Sequence, residues 1–220
     1  MTPHQFMYKY LKDPVIIEAG ACDGEDTVIM SNMFPNGMIY SFEPVPALYQ
    51  KALRKVKNKK NVKLYNMALS DNNGEQIMNV AFEYGINCGS SSLLKPKLHL
   101  EYYKRITFDE KINVKTVILD DFVKNENINK IDYMWLDMQG YESIVLKNSP
   151  NVLKMANFIH TETHNTENYE GNMLTPEYVD FLEKNGFALL FDGASSFTDG
   201  GDLTFVKKSY YDTLTNQTTK

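Results

Sequence analysis

The sequence predicts an α/β fold of the doubly wound kind, in which helices cover both faces of a mostly parallel sheet. The clearest evidence is the segment 15–27, where the β-branched run Val15-Ile16-Ile17 leads into a loop with two glycines and then into a helical pattern. Strand-length apolar runs and helical segments continue to alternate after it. The 220 residues, of which 43% are apolar and 12% aromatic, suit a single domain over 1–220 with a sizeable core.

The loop after the first strand is typical of a site that binds a nucleoside. Gly20 and Gly24 allow the backbone to turn sharply and a ligand to come close. The lysine of a phosphate-binding loop is missing, and only one of the three glycines of the dinucleotide fingerprint is in place. Glu18 and Asp23 put negative charge where a pyrophosphate would lie, which favours S-adenosylmethionine with its cationic groups. The alternative is an ordinary strand–loop–helix turn without a ligand.

The second predicted strand, 38–43, ends in a residue that suits a ribose. Glu43 comes about 20 residues after the loop and should lie at the carboxyl end of the neighbouring strand. A carboxylate there can accept hydrogen bonds from both ribose hydroxyls. The alternative is a solvated acid at a strand end. Small and polar residues over 66–71 suit the edge of an adenine ring.

The other elements follow from periodicity and turn residues. We expect helices over 1–13 with Thr2 as the cap, over 27–33, from 46, from 120 and over 175–186. We expect further strands over 62–65, 75–81, 115–119, 133–136, 157–163, 187–191 and 202–206. Leu48, Ala52 and Leu53 should face inward from the helix that begins at 46. The turn Asn72-Asn73-Gly74 should close a hairpin into 75–81.

Residues 82–112 are the least regular part of the sequence, with two glycines, three consecutive serines and then mixed aromatic and charged residues. A loop of this length in a compact domain is usually functional, so we expect a lid or a substrate-shaping insertion. The alternative is a variable surface loop. The segment 208–220 forms a polar tail.

Acids and histidines follow two strands that we expect to be neighbours. Asp137 ends one strand and Glu142 begins the next helix, while Glu162 and His164 lie at alternate positions near the end of the other strand. These four side chains are the expected catalytic residues. A hydroxyl acceptor needs a base, or a divalent metal held by carboxylates and imidazole, to remove its proton. His160 fits a buried, hydrogen-bonded histidine better.

Composition limits the partners. The net charge of -5 gives no general electrostatic reason to bind nucleic acid or an anionic membrane. The basic run over 51–63 follows a helix whose C-terminus it stabilises, although it keeps RNA open as a partner. The sequence has neither a leader pattern nor an apolar run that could span a membrane, and it has two cysteines. We therefore expect a cytoplasmic protein that acts on a small molecule.

Seven short motifs are spread along the chain. They are E-A-G-A-C-D-G (18–24), Y-S-F-E-P (40–44), N-M-A-L-S-D (66–71), S-S-S-L (90–93), L-D-D-F (119–122), I-D-Y-M-W-L-D-M-Q-G-Y-E (131–142) and the ending G-F followed by G-G-D-L-T-F-V. Each is weak alone, but their order and spacing resemble those of the FkbM family of S-adenosylmethionine-dependent methyltransferases over 14–207. The resemblance implies a seven-stranded sheet with an antiparallel last strand. It also implies O-methylation, often of sugars or secondary metabolites.

On the family pattern the glycine loop and Glu43 would hold the cofactor, and Asp137, Gly140 and Glu142 match the signature D-x-E/Q-G-x-E. The full set of expected cofactor-binding residues is Glu18, Gly20, Ala21, Asp23, Gly24, Thr27, Glu43, Pro44, Ala68, Leu69 and Asp137. The chain departs from the family in having Glu18 where aspartate is common, and in having little sequence before the first strand. The expected acceptor is a glycan, a sugar or another small polar molecule.

Three other functions stay open on the sequence alone. A nicotinamide-dependent oxidoreductase would share the fold, but the broken fingerprint counts against it. An RNA ribose methyltransferase would use the basic run over 51–63. A non-catalytic S-adenosylmethionine-binding protein would keep Gly20, Gly24 and Glu43 yet transfer no methyl group.

Overall fold

A computed structural model describes residues 3–211. The predicted cap Thr2 and the residues 212–220 of the predicted tail lie outside the described residues. The helices are α1 (Pro3–Tyr10), α2 (Glu25–Met33), α3 (Pro46–Val56), α4 (His99–Tyr102), α5 (Leu119–Asn125), α6 (Glu142–Lys147), α7 (Pro150–Met155) and α8 (Thr175–Lys184), with a 3₁₀ turn at Ala194–Ser196. Residues 208–211 are also helical.

The strands are β1 (Val15–Ala19), β2 (Met38–Phe42), β3 (Val62–Tyr65), β4 (Ala68–Ser70), β5 (Gly74–Glu83), β6 (Ile86–Asn87), β7 (Ile106–Ile118), β8 (Ile131–Leu136), β9 (Ala156–His164), β10 (Phe187–Asp192) and β11 (Gly200–Lys207). Seven of them form the main sheet in the order β10-β11-β9-β8-β1-β2-β3. Six of these strands run in the same direction, and β11, the last strand, runs in the opposite direction between β10 and β9. The doubly wound fold and the seven-stranded sheet are confirmed.

The register brings the carboxyl ends of the central strands to one edge. Ala19 of β1 pairs with Phe42 of β2 on one side and with Leu136 of β8 on the other. Leu136 in turn pairs with Thr161 of β9. The loops that follow β1, β2 and β8 and the end of β9 therefore meet, and this edge is where open α/β sheets bind ligands.

Apolar side chains cover both faces of the main sheet because successive strand residues point to opposite faces. Ile16 packs in one cluster with Met7 of α1 and Met30 of α2. Its neighbour Ile17 packs in a second cluster with Phe122 of α5 and other side chains of the opposite face. Burial on two sides explains why β1 is a continuous apolar run and not an alternating one.

A second sheet corrects two of the sequence predictions. Its order is β4-β7-β5-β6, so β7 lies between β4 and β5, and the predicted hairpin into 75–81 is wrong. The side chains of Asn72 and Asn73 bond to Thr116 and to the backbone N–H of Ile118, both on β7. β7 therefore lies between β4 and β5, where the turn residues predicted that these two strands pair directly.

The predicted irregular segment 82–112 is also shorter than expected. Its ends belong to β5 and to β7, which is 13 residues long and begins well before the predicted position 115. A prediction for α3 is wrong in one residue, since Leu48 and Ala52 are buried but Leu53 is 38% exposed. Among the described helices, none has the length and hydrophobicity needed to span a membrane.

Candidate active site

The loop after β1 is held tightly against the neighbouring strands. Gly20 has a φ of +89°, and a Cβ there would lie 1.8 Å from the backbone oxygen of Asp137. The N–H groups of Gly20 and Ala21 both donate to the Phe42 carbonyl at 3.0 Å. Gly24 precedes α2 with a φ of +83° and packs against the α3 backbone at Ala52. The two glycines are therefore required by positive φ and by close backbone contacts.

Glu18 lies within β1, since the strand continues to Ala19, and its side chain is fully buried. One carboxylate oxygen accepts bonds from the hydroxyls of Thr27 (2.6 Å) and Ser41 (2.5 Å). The other has no hydrogen-bond partner in the described part of the chain. Burial raises the pKa of Glu18 to about 7, against the lowering effect of these two hydroxyls. Glu18 thus ties the strand to α2 and β2 beneath the loop.

Glu43 follows β2 and is 4% exposed. Its two carboxylate oxygens accept the backbone N–H groups of Cys22 and Val45, each at 2.8 Å. These bonds fix the orientation of the carboxylate and leave each oxygen able to accept one more hydrogen bond. Burial raises the pKa of Glu43 to about 8 despite the two N–H donors. The amide of Asn66 donates to the carbonyls of Glu43 and Pro44 and holds this loop in place.

A cavity opens above these loops. Six of the predicted cofactor residues line it: Gly20, Glu43, Pro44, Ala68, Leu69 and Asp137. The other five are not among the lining residues: Glu18, Ala21, Asp23, Gly24 and Thr27. The structure pairs Asp23 with Lys55 at 2.8 Å, and this bond lowers the pKa of Asp23.

Three carboxyl groups meet beside this cavity. Oxygens of Asp137, Glu142 and Glu162 all lie within 4.8 Å of one another. We call these three residues the acid cluster. The Gln139 amide donates to both Asp137 and Glu162 at 2.7 Å, and Glu142 accepts the backbone N–H of Met138 at 2.5 Å. Three of the four side chains that the sequence predicted to be catalytic, Asp137, Glu142 and Glu162, therefore lie together.

Burial and mutual repulsion shift the acid cluster toward its protonated forms. Burial raises the pKa of Glu142 to about 8. The Asp137 side chain is exposed to the first cavity. The surrounding protein removes part of the water around its carboxyl group, and this loss raises its pKa. The pKa of Glu162 is raised well above its usual value by burial first and by the Asp137 and Glu142 charges next. Asp137 and Glu162 interact strongly, so they titrate as a pair and not as two independent groups.

A second, more open cavity lies beside the acid cluster. Glu162, His164, Gln139 and His99 line it. His164 is 4% exposed, and its Nε2 lies 3.7 Å from a Glu162 oxygen. His160 does not line this cavity. It is buried against Trp135 with its Nδ1 at 2.9 Å from the Thr204 hydroxyl, which confirms the predicted structural role.

Both cavities share the segment 89–99. Gly89, Ser91 and Leu93 line the first cavity, and Ser90 and His99 line the second. The Ser92 hydroxyl donates to the Gln139 carbonyl at 2.8 Å, which ties the segment to the loop after β8. Part of the segment predicted to be a lid or an insertion therefore lines both cavities, and its role as a lid stays a prediction.

Sequence reasoning missed three side chains that shape the site. The Tyr169 hydroxyl donates to the Gln139 side-chain oxygen at 2.7 Å, so the amide nitrogen of Gln139 points toward the acids. Asn168 bonds to His164. Gln139 stood within the D-M-Q-G motif, which was a usable signal, whereas Asn168 and Tyr169 lie in a loop without a recognisable pattern.

The buried carboxyl groups lead to a prediction about stability and pH. Glu18, Glu43 and Glu142 have pKa values raised from 4.5 to between about 7 and about 8, so the folded state binds more protons than the unfolded state up to that pH. His99 and His164, with pKa values lowered to about 4, act in the opposite direction, but only below about 6.5. Stability should therefore fall between pH 6.5 and 8, by on the order of 2 kcal/mol.

Urea unfolding of the ligand-free protein across that range measures this effect. Glu43→Gln should reduce the slope because it removes one of the titrating groups. A free energy of unfolding that is constant or rises with pH would contradict the assignment of raised pKa values to these acids.

Known proteins similar to this chain agree with the geometry. The sequence model of the FkbM methyltransferase domain matches residues 18–189. The 2-O-methyltransferase NoeI of Sinorhizobium fredii is 32% identical over 177 residues, which cover 77% of this chain and 71% of NoeI. Among solved structures, an rRNA methylase from Streptococcus thermophilus has a TM-score of 0.52 at 12% identity and covers 93% of both chains.

Fibrillarin from Aeropyrum pernix, solved with bound S-adenosylmethionine, has a TM-score of 0.50 at 12% identity over 89% of this chain and 67% of fibrillarin. At such identities the two structures show a shared fold, that of the Rossmann-like methyltransferases. The match to the domain model and the identity with NoeI establish the family of this chain. The chain belongs to the FkbM family and is an S-adenosylmethionine-dependent methyltransferase.

Proposed function

We propose that the protein transfers a methyl group to a hydroxyl of a sugar or another small polar metabolite. S-adenosylmethionine occupies the first cavity, with its ribose hydroxyls on Glu43 and its sulfonium toward Asp137. The acceptor occupies the second cavity. The observation that carries this proposal is the position of the acid cluster between the two cavities, with Asp137 lining one and Glu162 the other.

The acid cluster suits both halves of the reaction. A sulfonium beside carboxylates is stabilised by Coulomb attraction and lowers their pKa values, so cofactor binding favours the ionised forms of Asp137 and Glu162. The acceptor oxygen then attacks the methyl carbon, the carbon–sulfur bond breaks, and its electron pair stays on sulfur as a neutral thioether. The acceptor proton passes to Glu162, which acts as the general base.

The second cavity suits an uncharged acceptor. Within residues 3–211, no lysine or arginine lines it, whereas Glu162, Asp199 and Asp202 do. Phosphorylated acceptors would be repelled there. Tyr103 and Phe197, exposed by 44% and 64%, line the same cavity and offer apolar ring faces to a sugar. The similarity to NoeI, a 2-O-methyltransferase, supports a hydroxyl as the acceptor group.

RNA is the second candidate acceptor because one of the similar folds, that of the Streptococcus thermophilus protein, belongs to an rRNA methylase. The basic run supports it weakly. Lys55 pairs with Asp23 and Lys63 with Glu126, so two of its charges are already compensated. Methyl transfer to RNA would fall steeply with salt, whereas transfer to a neutral sugar would not.

A divalent metal is the alternative to Glu162 as the group that activates the acceptor hydroxyl. Three carboxylates are hard oxygen ligands of the kind that Mg²⁺ prefers, so Asp137, Glu142 and Glu162 fit such an ion. Bound there, it would polarise the acceptor hydroxyl. Turnover that is unchanged after treatment with a chelator would argue against the ion. The cysteines, Cys22 and Cys88, are both free, which is consistent with the cytoplasmic location that we propose.

Glu43→Ala tests the cofactor half of the proposal. Loss of two charge-assisted hydrogen bonds should cost about 2–3 kcal/mol and weaken S-adenosylmethionine binding by roughly 30- to 150-fold in calorimetry. Glu75→Ala removes an exposed glutamate of β5 and serves as the control, with unchanged affinity. Wild-type affinity in Glu43→Ala would exclude Glu43 as the ribose ligand.

A further inference from the structure

The side-chain amide of Asn168 has a fixed orientation. Its oxygen accepts the Thr166 hydroxyl at 2.8 Å, and its nitrogen donates to the Asp199 carbonyl at 3.2 Å. The same nitrogen lies 3.1 Å from Nδ1 of His164. Rotating the amide by 180° would place its oxygen against the Asp199 carbonyl oxygen and lose that bond. The nitrogen must therefore face both the carbonyl and the histidine.

This orientation selects one tautomer of His164. Nδ1 accepts a hydrogen bond from Asn168, so it carries no proton, and the proton of the neutral ring is on Nε2. A neutral ring with its proton on Nε2 donates at the cavity side and cannot accept a proton there.

The Nε2–H group of His164 has no hydrogen-bond partner among the described residues, although the side chain is 95% buried. It lines the second cavity, 3.7 Å from a carboxylate oxygen of Glu162. That distance is too long for a hydrogen bond between the two groups. A buried donor without a partner costs free energy, so this geometry indicates a ligand oxygen that bonds to both.

We propose that Asn168 is a positioning residue that holds His164 in the Nε2–H tautomer, and that this N–H binds the oxygen of the acceptor hydroxyl while Glu162 takes its proton. The inference rests on the proposed acceptor site and gives His164 the role of a hydrogen-bond donor, not that of a base or a metal ligand. A lone pair on Nε2 is also what a metal requires, so His164 is not a ligand of any ion in the acid cluster.

The tautomer can be measured without an acceptor. In ¹⁵N NMR spectra at pH 7, His164 should show a protonated Nε2 and an unprotonated Nδ1. His164→Gln identifies its signals among those of the four histidines. In Asn168→Asp a carboxylate faces Nδ1, so the proton should move to Nδ1 or the ring should become cationic. Asn165→Asp, which alters a neighbouring amide that donates to the Ala194 and Phe197 carbonyls, should leave the tautomer unchanged.

Turnover provides the second readout. With an established acceptor, Asn168→Asp should reduce kcat by at least tenfold with unchanged S-adenosylmethionine affinity, and His164→Gln, which keeps a donor, should exceed His164→Ala in activity. The interpretation of any pH profile must include the titratable groups that face His164 and Glu162. These groups are Asp137, Glu142, Asp199, Asp202, His99, Tyr103 and Tyr169. Wild-type His164 with its proton on Nδ1 would overturn the inference whether or not an acceptor is found.

Discussion

Glu162→Gln should reduce kcat by about 10²–10⁴, because the amide cannot take the proton of the acceptor hydroxyl. Glutamine has the same shape as glutamate, and its oxygen can still accept the Gln139 amide. Cofactor affinity should therefore change little. The variant also removes one of three crowded acids, so its stability at pH 8 should equal or exceed that of the wild type.

The combination of lost turnover and retained stability separates catalysis from folding. Asp180→Asn makes a comparable change at an exposed pair with Lys184 on α8 and should leave both properties unaffected. Single-turnover kinetics with S-adenosylmethionine and an accepted sugar provide the measurement. Full turnover in Glu162→Gln would remove Glu162 from the chemistry, even with the cofactor site intact.

Gly20→Ala should abolish detectable cofactor binding. Its Cβ would lie 1.8 Å from the Asp137 backbone oxygen, so either β1 or the loop after β8 has to move. Both segments line the first cavity, and a shift there also displaces the acid cluster. We expect a loss of stability of about 3–5 kcal/mol and a decrease in S-adenosylmethionine affinity of more than 100-fold.

Gly186→Ala is the matched control. Gly186 has nearly the same backbone conformation, with a φ of +86°, but a Cβ there would contact nothing within 4 Å. It should lose only the conformational cost of about 1–2 kcal/mol and bind the cofactor normally. Equal effects in the two variants would mean that positive φ, and not the contact with Asp137, makes Gly20 necessary.

The fold was predictable where local patterns and long-range packing agree. The apolar run of β1 and the loop glycines indicate one answer because burial on both faces and positive φ leave few alternatives. The second sheet was not predictable in the same way. Asn72-Asn73-Gly74 is a strong local hairpin signal, but strand pairing is a non-local choice, and both β4 and β5 pair with β7 instead of with each other.

The candidate site shows the same limit. Asp137 and Glu162 could be placed together because parallel strands end at one edge of the sheet. The loop 165–174 that supplies Asn168 and Tyr169 has no periodicity that would direct it over β9. Its side chains matter through single hydrogen bonds to His164 and Gln139, and such contacts leave no repeating trace in a sequence.

Two-dimensional NMR of the methylated product tests the account most directly. The wild-type enzyme, given S-adenosylmethionine with a ¹³C-labelled methyl group and a panel of neutral sugars and polyols, should produce a labelled methyl group bonded to oxygen, at a rate insensitive to moderate salt. A methyl group found on nitrogen or carbon, or transfer confined to RNA and lost as salt is raised, would contradict the assignment of a neutral hydroxyl acceptor.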